Sequence, residues 1–456
     1  MRYRYRTDEE IKDSGVEWIG KIPKDWTISK IKYIKSLENN SFVDGPFGSN
    51  LKSEHFIDNG DVYVIESNFA TQGVLNTENL KTITLEHFQT IKRSEVKQGD
   101  IVLAKIGAQF GLSSILPKID KRAVISGNTL KLSINLDKVS NEYIHYQLIT
   151  IKRKGVLDTI VSTTAQPAVS LGDMNNLNMV LPKKYEQEKI ANFLDEKTSQ
   201  FDLIISKKEE LIKKLEEAKK SLISEVVTGK VKVVKTDDGY ELVKRSSDEM
   251  KDSGVEWLGE IPKEWEIYRS KYLWKKEKRP ILDNYDVVTA FRDGEVTLRT
   301  NRRTEGYTFA IKETGYQGVL KGDLVISAMD AFAGAMGISD SEGKCSPVYS
   351  VCSPIKKLVP DYYKYLLKEM SQKGYILSLA KGIRERSTDF RYSEFSNTTL
   401  LYPNFNEQEI ISSYINIKLN NIDEFKTKIK LQIEKLKEAK QSLISEAVTG
   451  KIEILD

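Results

Sequence analysis

Two long stretches of the chain place apolar residues three and four positions apart, with Lys and Glu filling the positions between. Phe201, Ile204, Leu211, Leu215, Ala218 and Leu222 mark the first stripe, and Ile422, Phe425, Ile429, Leu436, Ala439 and Leu443 the second. This is the repeat of a coiled-coil seam. Neither stretch contains proline, and each closes on a glycine, Gly229 or Gly450, the residue favoured where a helix ends in a left-handed conformation. Helices are therefore expected from Glu186 to Thr228 and from Glu407 to Thr449, each about 60 Å long at ~1.5 Å per residue. A stripe that narrow must be buried against something, and each stretch offers the other a matching one. The competing arrangement is two independent amphipathic helices, each packed on its own domain.

Outside these stretches the apolar runs are short and β-rich. Val62–Ile65, Asp100–Leu103, Leu130–Ile134 and Leu324–Ser327 are punctuated by Gly, Asn and Asp. This predicts irregular, mostly antiparallel sheet. Tyr143–Ile151 and Tyr362–Met370 carry the clearest short helical patterns. Residues 231–250 are polar and weakly patterned, and read as a linker.

The pattern repeats along the chain. Leu215–Val231 (LEEAKKSLISEVVTGKV) and Leu436–Ile452 (LKEAKQSLISEAVTGKI) are identical at 13 of 17 positions. Lys12–Trp26 (KDSGVEWIGKIPKDW) returns as Lys251–Trp265 (KDSGVEWLGEIPKEW), Gly99-Asp-Ile-Val as Gly322-Asp-Leu-Val, and Pro182 with Glu186-Gln-Glu as Pro403 with Glu407-Gln-Glu. The chain is thus a tandem duplication of globular region and long helix. Paired seams would then run antiparallel, with one globular region at each end and a pseudo-twofold relation between the halves.

Composition narrows the chemistry. Charged residues make up 30% of the 456 residues, yet the net charge is only +4, so any basic surface is local. Cys345 and Cys352 form no metal motif and fit a reducing, cytoplasmic setting. The opening MRYRYRTDEE has no apolar core of a secretory signal, and no stretch is long and apolar enough to span a bilayer. The Gly-Lys pairs at Gly20, Gly229, Gly343 and Gly450 are not followed by Ser or Thr, as a phosphate loop requires. No Pro-Pro dipeptide is present, and so no Asn/Asp-Pro-Pro-aromatic motif of an amino-methyltransferase. His55, His87 and His145 are scattered singly and read as surface or core residues.

Binding chemistry is what remains. Lys276, Arg279, Arg292, Arg299, Arg302 and Arg303 interleave with Tyr272, Trp274, Tyr285 and Phe291, and Arg384 and Arg386 follow later. Basic and aromatic residues so mixed suit phosphate contact and base-edge readout; a solvated charged surface is the plain alternative. In the first half, Gly45, Phe47, Ser49 and Lys52 lie on a loop with short polar tips, and Lys105 and Gln166 join them as candidates.

The Glu-Gln-Glu after a strand ending in Pro, the helix closing with Ser-Leu-Ile-Ser-Glu-x-Val-Thr-Gly-Lys, the Ile-Pro-Lys-x-Trp opening and the Gly-Asp-Ile-Val strand together resemble the specificity (S) subunits of type I restriction-modification systems. The resemblance covers nearly the whole chain. It implies an α+β fold with two target recognition domains of mainly β structure separated by two long helices in an antiparallel intramolecular coiled coil: domain 1–185, helix 186–230, linker 231–250, domain 251–406, helix and tail 407–456. It also implies a non-catalytic subunit that binds double-stranded DNA, joined by two modification subunits carrying S-adenosylmethionine and by restriction subunits using ATP, with no cofactor of its own. The Gly45–Ser49 loop and the Gln166-Pro167 turn match patterns common in such recognition domains, and the second half has no counterpart of the loop. An enzyme with an unrecognised active site and a coiled-coil scaffold stay open as readings from the residues alone.

Overall fold

The computed structural model describes residues 1–161, 167–302, 314–380 and 389–455. The chain forms two compact units, one of residues 1–208 with 431–456 and the other of residues 209–430. Each unit therefore contains part of both long helices, Lys184–Val227 and Phe405–Val448.

In the first unit, a four-stranded antiparallel sheet runs in the order Ser113–Ile115, Ile101–Ala104, Thr129–Leu132, Phe42–Asp44. One face carries Ile101, Leu103, Leu130 and Leu132, which bury against Tyr143, Ile144 and Ile151 of the helix Asn141–Arg153. The other face packs Val102 and Ala104 against Tyr63, Ile65, Ala123 and Ile125 of a second sheet. That sheet is ordered Lys81–Ile83, Val62–Ile65, Arg122–Ile125, Glu95–Val96, and its central pair is parallel, within a pairing pattern that is otherwise mostly antiparallel, as expected.

The second unit repeats the first sheet as Trp274–Lys276, Tyr349–Pro354, Leu324–Ser327, Met336–Ile338. The helix Pro360–Gln372 covers it through Tyr362, Tyr363, Leu366 and Leu367. In place of the second sheet stand two short strand pairs, Val288–Ala290 with Val296–Leu298 and Gln317–Val319 with Gly343–Cys345.

The repeated motifs converge on one structural joint per unit. In the first, Glu186 accepts a hydrogen bond from Trp26 Nε1 at 3.0 Å and an ion pair from Arg6 at 3.1 Å. In the second, Glu407 accepts from Trp265 Nε1 at 2.8 Å and from Arg245 at 2.6 Å. The neighbouring glutamine ties the helix start to the short helix: Gln187 accepts from Ser140 N at 3.0 Å and donates to Pro182 O at 2.9 Å, and Gln408 does the same with Val359 N and Pro403 O. The far ends close the same joints. Gly450 (φ 72°) seats on Pro23 and Trp26 of the first unit, where an added Cβ would lie 2.3 Å from Pro23 Cδ; Gly229 (φ 77°) seats likewise on Pro262 and Trp265 of the second. Only glycine fits there, on both conformational and steric grounds.

The expected linker at 231–250 is instead mostly a β-hairpin. Val231–Thr236 pairs with Gly239–Lys244 through six residue pairs. It reads as a linker because the ribbon is largely exposed, Val233 being its one buried apolar side chain. In the first unit the equivalent ribbon is built from Tyr3–Tyr5 and Ile452–Ile454.

The long helices do pair, and they run antiparallel within each unit. In the first unit Lys440 reaches Asp202 at 2.6 Å and Lys208 reaches Gln432 at 2.7 Å; in the second, Lys219 reaches Asp423 at 2.9 Å and Lys426 pairs with Glu216. The seam itself is shifted from the expectation in places. Ile204, Leu211 and Phe425 are exposed at 44%, 39% and 49%, and Ala218 and Ala439 are exposed as well. Phe201, Leu215, Leu222, Ile422, Leu436 and Leu443 are partly buried and Ile429 is buried, all on the seam, but the intervening positions belong to Ile205, Lys208, Ile212 and Lys219 on one helix and to Lys426, Ile433 and Lys440 on the other.

Candidate nucleic-acid interface

The strand Phe42–Asp44 lies at the edge of its sheet, and the loop that follows is pressed onto the turn after Arg122–Ile125. Gly45 sits so close that a Cβ would meet Ser126 O at 1.9 Å, and one on Gly127 would meet Pro46 O at 2.7 Å. Glycine at 45 thus lets the two backbones touch. Beyond Pro46 the chain turns outward: Phe47 is 65% exposed, and Gly48, Ser49 and Asn50 are exposed with it.

Asp44 roots this loop. Its carboxylate takes Arg93 at 2.6 Å and Lys105 at 3.1 Å. Burial acts to raise the Asp44 carboxyl, but the two cations outweigh it and hold it below the usual carboxylate range. The Lys105 ammonium also lies 5.8 Å from the centre of the Phe47 ring, a cation-π distance. Lys105 stands just beyond its strand, with its N donating to Asn128 O and its O accepting from Val169 N. Gly107 N donates to Pro167 O at 3.1 Å.

The fold thus brings Gly45, Phe47, Ser49 and Lys105 together. Lys52 lies farther along the loop, exposed and 3.5 Å from Glu54. Gln166, Arg303, Arg384 and Arg386 lie outside the described residues. Arg93 was not legible as a partner of Asp44: only the fold brings the short helical turn Lys92–Ser94 to it across 49 residues of sequence. His55 and His87 are stacked with ring centres 3.9 Å apart, and His87 Nε2 lies 2.9 Å from Asn50 O. These two histidines buttress the loop instead of standing apart.

In the second unit the basic residues are far more committed to acids. Arg279 is paired with Asp323, which is also held by Leu320 N at 2.8 Å, so this arginine is part of the framework. Arg302 is held between Asp293 at 2.7 Å and Glu295 at 2.9 Å, over the Phe291 ring at 4.4 Å. Arg299 Nε donates to Thr289 Oγ1 at 3.3 Å. Arg292 is mostly exposed and meets Asp330 at 2.8 Å, a surface pair of little energetic weight. Lys276 is exposed, 5.5 Å from the Tyr392 ring centre. Of the expected cluster, Lys276 and Arg292 present their charges most openly.

Other chemistry is sparse. Among the described residues no group of three His, Cys, Asp or Glu side chains could hold a metal ion, and no helix is long and apolar enough to cross a membrane. Cys345 and Cys352 are free and buried, and burial pushes both thiols up to about 12.

Residues 23–216 match the family described as Type I restriction modification DNA specificity domain. Among curated proteins, the chain is 26% identical over 219 residues to the type I restriction enzyme MjaVIII specificity subunit of Methanocaldococcus jannaschii, covering 47% of this chain and 48% of that one. It is 24% identical over 257 residues to the putative type I restriction enzyme MjaX specificity subunit of the same organism, covering 55% and 52%. The chain therefore spans about half the length of the curated relatives it matches. Among solved structures, one chain from work on complex assembly and conformational transition of the type I R-M system superposes with a TM-score of 0.64 at 12% identity, covering 94% of this chain and 99% of the other. The HsdS subunit from Thermoanaerobacter tengcongensis superposes with a TM-score of 0.51 at 13% identity, covering 96% and 99%. The fold accords with these structures, and residues 23–216 of the chain are similar to the type I restriction modification DNA specificity domain.

Proposed function

We propose that this chain is the DNA-reading subunit of a type I restriction-modification complex, each unit addressing one half of a split, asymmetric target. The observation that carries the reading is a shared framework bearing different surfaces. The Trp-Glu-Arg joint and the four-stranded sheet recur in both units, while the Gly45–Ser49 loop with Lys105 belongs to the first alone and Lys276 with Arg292 to the second. A duplicated scaffold with divergent loops suits two readers of unlike sequence.

In the first unit, Asp44 holds Lys105 and Arg93 at the base of the loop, so the glycine-rich tip is preorganised before DNA arrives. Short side chains there allow close approach to bases, and Lys105 supplies charge for the backbone. Phosphate contacts set position and affinity, base-edge contacts set sequence. Methyl transfer and cleavage fall to partners in this reading: two modification subunits using S-adenosylmethionine and restriction subunits using ATP. The test exchanges residues 26–182 for another recognition domain and maps methylated adenines across the genome. One half of the motif should change and the other remain; a change in both halves overturns the reading.

A further inference from the structure

The first unit contains a largely buried lysine side chain whose amine, at a cavity wall, has no hydrogen-bond partner among the described residues. Lys131 lies in the central strand Thr129–Leu132 and is 7% exposed. Among the described residues it makes no hydrogen bond or ion pair. The duplicated framework supplies its own control. Lys131 lies opposite Val102 of Gly-Asp-Ile-Val, and the residue opposite the matching Val325 of Gly-Asp-Leu-Val is Val351, fully buried. The same sheet position is thus filled by valine in one unit and lysine in the other. An unpaired, partly desolvated ammonium is costly, so the sheet gains nothing from lysine at this place.

Lys131 lines a cavity of about 550 Å³ beside the sheet edge, within the usual range for small-ligand sites of ~300–1,000 Å³. Lys92, Arg93 and Lys97 line it too, as do the acids Glu38, Glu95 and Asp100. Four cations thus outnumber three acids. Asp100, the acid whose field most favours the ammonium, gives one oxygen to Lys97 N at 2.8 Å and forms no ion pair with Lys131. The side-chain amides of Asn39 and Asn40 complete a polar wall.

We propose that this cavity is an oxyanion site that takes a phosphate group, with the Lys131 ammonium as its anchor. A phosphate presents several strong acceptors to amines and amides, and it would neutralise the ammonium of Lys131. Both inorganic or esterified phosphate and a backbone phosphate of DNA carry this chemistry. The proposal does not depend on the DNA-reading assignment, although Arg93 joins the cavity to Asp44 and so to the exposed loop.

The test is thermal unfolding of the full chain titrated with potassium phosphate against potassium chloride at equal ionic strength. A ligand bound only by the folded state raises the unfolding temperature with concentration. The wild type should show a phosphate-specific rise. K131V, which installs the residue of the other unit, and K131M should unfold at a higher temperature without phosphate and lose the phosphate response, while K131R should keep it. A wild type that responds equally to both salts, or a K131V that responds like the wild type, overturns the proposal. Repeating the titration with a saturating double-stranded oligonucleotide separates the two sources. Loss of the phosphate response assigns the site to the DNA backbone, and persistence assigns it to a free phosphate or phosphate ester.

Discussion

Single buried polar residues decide how tightly each long helix is fixed to its sheet. Arg245 is 2% exposed in its side chain and rests on Glu407 and Glu264, with the former shared by Trp265. Removing Glu407 leaves much of that buried charge unmatched, so E407A should destabilise the second unit by about 3–5 kcal/mol, read as a drop in the unfolding midpoint of the full chain. His145 gives a pH-dependent counterpart in the first unit. Its Nδ1 lies 3.0 Å from Ser113 Oγ, and burial lowers its pKa from 6.5 to about 4. The unfolded chain takes up a proton near 6.5 and the folded chain only near 4, so stability is complete above that window and falls as pH drops through it, by about 3 kcal/mol in all. Denaturation at stepped pH should show this loss, and H145Q should flatten it. At this scale the sequence was partly legible. Glu186-Gln-Glu and Ile-Pro-Lys-x-Trp stood out as repeats, and their function as a joint follows from Trp26 and Glu186 meeting across the fold. The partners of Asp44 and Arg302 were not, because ion pairs across strands leave no periodic trace.

Along the helices, the error in the seam has a physical cause. From Phe201 the seam positions, partly buried except for the buried Ile205, alternate by four and three through Ile205, Lys208, Ile212, Leu215, Lys219 and Leu222. A search for apolar residues passes over the lysines and lands on the neighbours Ile204 and Leu211. The lysines belong there because a long aliphatic stem covers apolar surface while the ammonium reaches an acid or amide on the other helix. The two readings separate experimentally. I205E should lower the unfolding midpoint of the full chain strongly, while I204E should change it by less than about 0.5 kcal/mol equivalent. Equal effects would return Ile204 to the seam. The hairpin at Val231–Lys244 leaves little pattern for a related reason: a mostly exposed two-stranded ribbon that buries only Val233 fully shows no sustained alternation of buried and exposed residues.

At the scale of the molecule, the first unit is a rearranged version of the second. Where the second unit turns through Asp237-Asp238 between its ribbon strands, the first has residues 2 and 455 side by side, Leu455 N donating to Arg2 O at 2.9 Å. A chain joined by a short linker from 455 to 2 and opened at Asp238 should therefore fold and retain its helix pairing, as circular dichroism and limited proteolysis would show; a molten product would mean that the hairpin turn is indispensable. The duplication was legible from the repeated motifs, but this exchange was not, since it depends on which joint each glycine closes. Gly450 closes the joint of Trp26, and that has a consequence during synthesis. The second unit is continuous from 209 to 430 and can close as soon as it leaves the ribosome. The first must wait for residues 431–456. Bacterial-type elongation at ~5–20 residues per second puts tens of seconds between the emergence of Trp26 and the arrival of its lid. Translation thus completes the later-made unit first, and the apolar seat around Trp26 stays open on the nascent chain until residues 431–456 emerge.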